Sequence, residues 1–269
     1  MSADALAGID HAVVLVRDLE GARTSFARLG FTATPRGTHS AHMGTGNHCL
    51  MFESDYIELL GILKPTDLNA GWRRQLELRE GVAALALATS DAGRSYEALT
   101  ERGLEPSDPI AFSRPVDLPE GKAEAAFRIV RLPEAAVPGA GLFVCGHLTR
   151  GAVWRPEWQA HANGAVGIAL VTVAVPDPDA AAGLYRRVFG REHVAESRNR
   201  IRIDTGGAPI RLVAGEGPAH VSGLSLVVAD LGRAEAALAA GSVPRERGAS
   251  VLRVAPEAAC GVALEFLAK

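Results

Sequence analysis

The chain has 269 residues, 48% of them hydrophobic and 22% charged, which is the make-up of a soluble globular protein with room for two ordinary domains. A net charge of −3 gives no basis for nucleic acid or an acidic membrane surface as partner. No apolar run approaches the roughly 20 residues that cross a bilayer, and MSADALAGIDHAVV has neither a basic n-region nor a cleavage-like site, so a soluble, cytoplasmic protein is expected.

Residues 8–18, GIDHAVVLVRD, read as a strand that is apolar on both faces apart from Asp10 and His11 near its start. Asp18 can cap the helix that follows, in which Leu19, Ala22, Phe26 and Leu29 recur at helical spacing until Gly30 stops it. Strand-like pieces come next at 31–35, 47–53 and 55–62. A second strand at 81–91 leads to a helix ended by Gly103, with strands near 125–132 and 141–145 among longer loops rich in proline and glycine. The third copy has its strand at 167–177, a helix to residue 189 with Tyr185 and Val188 facing inward, and short strands in REHVAE, RIRID and APIRLV. The fourth has a strand at 221–230, a helix over 231–240, and strands in SVLRV and VALEFL. Each first strand ends in an aspartate, at Asp18, Asp91, Asp177 and Asp230, so one βαβββ unit is used four times.

Between the second and third units lies HLTRGAVWRPEWQAHANG, residues 147–164, without a clean period. Trp154 and Trp158 must each bury a large ring, so this stretch is a packed crossing and not a loose tether. Interdomain packing is the favoured reading for both, with a substrate platform as the other. The division expected is 1–148, units one and two with the candidate site, a connecting segment 149–164, and 165–269, a second pair of units read as degenerate. Cys49, Cys145 and Cys260 are odd in number and widely spaced, which suggests reduced thiols. Nearly all positive charge is arginine, a bias that fits a G+C-rich bacterial genome.

Registering the four strands on their aspartates sets His11 against Ala84, Leu170 and Gly223, so the first copy alone has a ligand-capable side chain there. In DYIELLGIL, Glu58 stands in an otherwise apolar run; the matching positions are Arg211 in unit three and Glu265 in unit four. A carboxylate among Ile57, Leu59 and Leu60 is costly unless a cation or a histidine pairs with it.

Four βαβββ units with a histidine in the first strand and a YIELLG glutamate in the fourth resemble the vicinal oxygen chelate superfamily. That group includes glyoxalase I, methylmalonyl-CoA epimerase, extradiol dioxygenases and the fosfomycin- and bleomycin-resistance proteins. More narrowly, His42-Met-Gly-Thr-Gly-Asn47, Tyr56-Ile-Glu-Leu-Leu-Gly61, His147-Leu-Thr, Trp154-Arg-Pro-Glu-Trp158 and His161-Ala-Asn-Gly164 resemble bacterial glyoxalase-like domain proteins. The resemblance implies an α+β fold in which the units pair into two half-open barrels, with a divalent metal in a cup. By position His11 and Glu58 are the implied ligands and catalytic groups, and His147 is the candidate third ligand, against a strand-capping histidine. The family's ligand position in unit two is Ala84, which cannot bind a metal, and Gly146 stands where a glutamine precedes the histidine. The cup therefore holds one divalent ion, with Zn, Fe, Mn, Ni and Mg not distinguished, or none. The second domain, with Leu170 and Gly223 at the first-strand positions, is expected to be without a metal.

His39, His42 and His48 crowd THSAHMGTGNH. His42, His48 and Asn47 are the candidate substrate-binding residues at the cup mouth; the competing reading is a solvent-facing edge with a turn at Gly44 and Gly46 that includes Asn47. Arg198, Arg200 and Arg202 alternate, which is the solvated face of a strand more than an anion site. No Gly-x-Ser-x-Gly, His-Glu-x-x-His or Cys-x-x-Cys occurs, so hydrolase, zincin and thioredoxin chemistry have no support. Two functions stay open. One is an enzyme (lyase, isomerase or dioxygenase) acting on a small oxygenated metabolite; the other is a metal-free binding protein of the bleomycin-resistance type. The partner in both is a small molecule, for a monomer or a homodimer; a third reading is a degenerate structural homologue with no small-molecule role.

Overall fold

A computed structural model describes residues 6–118, 121–197 and 200–269 of the chain. The first unit runs β1 (Ile9–Val16), α1 (Leu19–Arg28), β2 (Gly37–Thr38), β3 (Thr45–Met51) and β4 (Tyr56–Ile62). A helix α2 (Ala70–Leu78) leads to β5 (Gly81–Ala88), α3 (Ala92–Glu101), β6 (Ile110–Leu118), β7 (Gly121–Arg131) and β8 (Gly141–His147). After a short α4 (Pro156–Gln159) come β9 (Ala165–Val175), α5 (Pro178–Phe189), β10 (Val194–Ser197), β11 (Arg200–Ile203) and β12 (Ile210–Ala214). The last unit is β13 (His220–Val228), α6 (Leu231–Ala240), β14 (Glu246–Arg247), β15 (Val251–Val254) and β16 (Ala263–Ala268).

The recurring aspartate has one job in all four copies. The side chain of Asp18 accepts from the N–H of Gly21, that of Asp91 from Gly93 and Arg94, that of Asp177 from Asp179 and Ala180, and that of Asp230 from Arg233. Each satisfies backbone donors that a helix start leaves open.

Units pair edge to edge into two eight-stranded sheets, in the orders β2-β3-β4-β1-β5-β8-β7-β6 and β10-β11-β12-β9-β13-β16-β15-β14. In the first, β1 runs parallel to β4 and antiparallel to β5. Its two outer strands, β2 and β6, come into contact, so this sheet curls almost to closure. The fold is α+β, two half-open barrels.

Period-two alternation divides each strand between two environments. Val14, Val16, Ile57 and Leu59 face α1 and join Leu19, Ala22 and Phe26 in a core that continues into the second sheet through Val171, Leu224 and Phe266. His11, Val13, Leu15, Tyr56 and Leu60 face the concave side instead. Two expectations about strands need correction. Residues 31–35 form no strand: Thr34 makes one rung with Cys49, and Pro35, lacking an N–H, ends the pairing. Conversely, β6 forms despite Pro115, because it lies at a sheet edge where no ladder partner awaits that N–H. Of the arginine stripe, Arg200 and Arg202 are exposed on β11; Arg198 lies outside the described residues.

The end of the connecting segment ties the sheets together. Thr32 N–H donates to His161 Nδ1 at 3.0 Å, so the proton of a neutral ring sits on Nε2, which meets Met51 O at 2.9 Å. Burial holds this imidazole below its usual range, in keeping with a neutral ring. Asn163 Nδ2 donates to Leu29 O, and Arg233 to the carbonyls of His161 and Ala162. On the opposite side of the joint, Asp55 Oδ1 accepts from Ile168 N–H at 3.0 Å.

Burial pushes the Asp55 carboxyl up to about 7 from its ordinary 3.8, against the lowering effect of the Ile168 N–H and Ser54. Its stabilising contribution is therefore complete below pH about 4 and is lost as pH rises through 7, a change of up to about 4 kcal/mol. We expect Asp55→Asn, which keeps the acceptor and removes the charge, to unfold at higher urea than the parent at pH 8 and no later at pH 4. Parallel urea titrations at the two pH values check this.

Candidate active site in the first sheet

The concave face of the first sheet gathers the polar residues that the apolar strands carry. His11 of β1 lies between the ring of Tyr56, stacked at 4.3 Å, and the edge of Phe143 at 5.4 Å. Its Nε2 is 3.7 Å from Glu58 Oε2, and its Nδ1 is 2.6 Å from Asp10 Oδ1. Asn47 Nδ2 donates to Glu58 Oε1 at 2.6 Å, and His39 Nε2 lies 4.0 Å from the same oxygen. His39 Nδ1 is held by Thr45 Oγ1 at 2.8 Å, and burial, outweighing the nearby Glu58, lowers its proton affinity.

Asp10 is the residue that strand periodicity hides. Next to His11 in sequence, it should point to the opposite face. The β1–β5 register slips between Ile9 and His11, and this irregularity lets both side chains meet on one side. Asp10 Oδ1 also receives His147 Nε2 at 3.0 Å. Burial alone would raise this carboxyl, but the two histidine hydrogen bonds outweigh it and bring it down to about 2. An ionised carboxylate only accepts, so His11 carries its proton on Nδ1 and His147 carries one on Nε2. In its neutral form His11 then presents the Nε2 lone pair to a carboxylate 3.7 Å away.

Of the other candidates, His147 sits at the end of β8 but behind His11, its Nε2 turned to Asp10 and its Nδ1 buried without a partner among the described residues. Asn47 is in β3, not in a turn, and contacts Glu58. His48 follows it in the same strand and so faces the helix side. There Nδ1 meets Thr34 O at 2.8 Å and Nε2 meets Glu20 at 3.4 Å, in an outer cleft away from the cup. His42 is exposed in the turn before β3. Neither His42 nor His48 reaches Glu58. Trp154 and Trp158, expected to pack between the domains, pack instead against the concave cluster of the first sheet. The Trp154 ring meets His147 at 4.8 Å and Tyr56 at 5.5 Å, and Arg150 lies 3.5 Å over it, so the connecting segment covers part of the cup.

The residues present can accommodate a divalent cation. Two donors 3.7 Å apart lie within the span that one ion with bonds of roughly 2.0–2.6 Å can join. A histidine whose second nitrogen is fixed by a carboxylate is the usual arrangement behind a metal. A second grouping, Asp10, His11 and Cys145, has ligand-type atoms all within 4.8 Å of one another. In it Asp10 already serves two histidines, and burial holds the Cys145 thiol well above its usual range. The second sheet differs. Arg211 donates to Thr172 Oγ1, and Glu265 is occupied by Ser225 and Arg253.

The family described as a glyoxalase-like domain matches residues 9–189. No curated protein matches the chain. Among solved structures, a hypothetical protein from Staphylococcus aureus has a TM-score of 0.75 at 14% identity, covering 97% of this chain and 99% of that one. A mutant of 4-hydroxymandelate synthase from Streptomyces coelicolor has a TM-score of 0.63 at 14% identity, covering 98% and 92%. A xylose isomerase-like TIM barrel/4-hydroxyphenylpyruvate dioxygenase fusion protein has a TM-score of 0.63 at 16% identity, covering 99% of this chain and 50% of its own. At these identities the likeness is one of fold.

Asp10 gives a prediction with a definite sign. Depressed from 3.8 to about 2, it stabilises the native state above pH about 4, and that contribution of about 2 kcal/mol is lost as pH falls toward 2. Asp10→Asn should be less stable than the parent at pH 6, with the gap narrowing steadily toward pH 2. A constant gap across a pH series of urea titrations would contradict it.

Proposed function

The chain is a member of the glyoxalase-like domain family, and from that premise we propose that the first cup is the active site of an enzyme for a small oxygenated molecule. One divalent cation is held there by His11 Nε2 and Glu58. The observation that carries this reading is the pair of acceptors facing each other at 3.7 Å, with Asp10 fixing the His11 tautomer from behind. Two acceptors at that distance are favourable only with a cation or a proton between them.

Such an ion, when bound, is a Lewis acid toward substrate oxygens. The protein's share is positional. Asp10 locks the His11 ring, Tyr56 stacks on its face, and Asn47 Nδ2 anchors one oxygen of Glu58, leaving the other toward His11. Within this reading Glu58 is also the group placed to exchange a proton with the substrate. The reaction class, among lyase, isomerase and dioxygenase, follows from the ion: oxygen chemistry needs a redox-active one. One observation favours a metal-free binding protein. Ala84 and Ala86 fill the facing part of β5, and His147 is committed to Asp10, so two donors stand where three are usual.

Element analysis of protein purified without a histidine tag separates these readings. We expect about one divalent ion per chain, and Glu58→Gln to weaken retention at least about tenfold with the melting temperature nearly unchanged. Protein that stays metal-free after incubation with Zn, Fe, Mn, Ni and Mg would overturn the proposal. Loss of the ion in Cys145→Ser, with retention in Glu58→Gln, would move it to the Asp10–His11–Cys145 group.

A further inference from the structure

Where the outer strands of the first sheet meet, they leave a cation. Arg114 on β6 lays its guanidinium over Gly37 on β2. A Cβ at position 37 would lie 2.8 Å from Arg114 Nη1, 3.1 Å from its Cζ and 2.3 Å from Asn47 Oδ1. Any side chain at 37 would push aside the ends of the Asn47 and Arg114 side chains, so the bare glycine leaves both where they stand. Asn47 is the residue whose other amide atom holds Glu58 at 2.6 Å. One amide side chain thus separates the guanidinium from the carboxylate of the proposed site.

Arg114 is partly buried, and among the described residues it has no hydrogen bond or ion pair. Beside it Asn47 Oδ1 is buried and also without a partner. A planar, permanently charged fork held unpaired at such a place matches a carboxylate, which it can receive with two parallel hydrogen bonds.

We infer that Arg114 takes the carboxylate of a small organic acid whose oxygen-bearing end reaches His11 and Glu58. This names a substrate class for the proposed site and rests on that reading for the position of the reacting end. The carboxylate arm itself needs only the Arg114 guanidinium, since Asn47 Nδ2 is already given to Glu58 and its Oδ1 can only accept.

The test uses L-malate and 2-hydroxybutanoate, which share a 2-hydroxy acid end and differ in carrying a second carboxylate or a methyl group. Calorimetry on the full chain, as purified, should show L-malate binding at least about tenfold more tightly. Arg114→Gln should bring L-malate down to the level of 2-hydroxybutanoate, and Arg114→Lys should restore part of the preference. Metal content should stay at the wild-type value in both. Arg114→Lys, which keeps the charge on a similar stem, covers the case in which Arg114→Gln fails to fold, and the melting temperatures of both variants show which case holds. Equal binding of the two acids, binding of neither, or a preference that survives Arg114→Gln would overturn the inference, as would loss of metal in that variant. A preference for L-malate in a chain that holds no metal would leave the arm standing and remove the ion from the proposed function.

Discussion

One oxygen of Asp10 receives hydrogen bonds from two histidines inside an apolar sheet, His11 at 2.6 Å and His147 at 3.0 Å. Burying a carboxylate there is unfavourable unless donors meet it, and the pair of imidazoles is what lets it stay ionised. The same contact decides which nitrogen of each ring is protonated. It therefore sets what the cup presents to a ligand: a lone pair on His11 Nε2, aimed at Glu58. The backbone irregularity at Asp10, the stacked Tyr56 and the Trp154 cover all serve that arrangement.

The second sheet shows what the same architecture becomes without this contact. Leu170 and Gly223 replace the first-strand histidine, and the fourth-strand positions pair locally, Arg211 with Thr172 and Glu265 with Ser225 and Arg253. Arg211 Nε is left buried without a partner among the described residues, while both oxygens of Glu265 are met. The two sheets share a continuous apolar core, and His161, Asn163 and Asp55 close the joint with buried hydrogen bonds.

Much of this was legible in the sequence, for reasons that can be named. The capping aspartates recur because every first strand runs into a helix start, and an N-cap is a local demand. Fourth-strand positions align across the repeat: Glu58, Arg211 and Glu265 pair with Val13, Thr172 and Ser225, which are themselves equivalent positions of the three first strands. What failed to show was anything that departs from strict alternation or comes from far along the chain. Asp10 lies one residue from His11 and turns to the same side only through a slip in strand pairing. His48 is the opposite case: adjacent to Asn47 in an unbroken strand, it faces the helix side, as period two requires. Arg114 reaches the cup because two sheet edges 77 positions apart in the chain curl together, and no local pattern carries that.

The most direct measurement is the protonation of the two histidine rings, read from nitrogen-15 chemical shifts and their couplings to ring protons at pH 7 without added metal. The account predicts His11 protonated on Nδ1 with Nε2 bare, and His147 protonated on Nε2, with Asp10→Asn shifting both. A His11 ring that carries its proton on Nε2 while Nδ1 is bare would contradict it, because Asp10 would then be neither ionised partner nor orienting group.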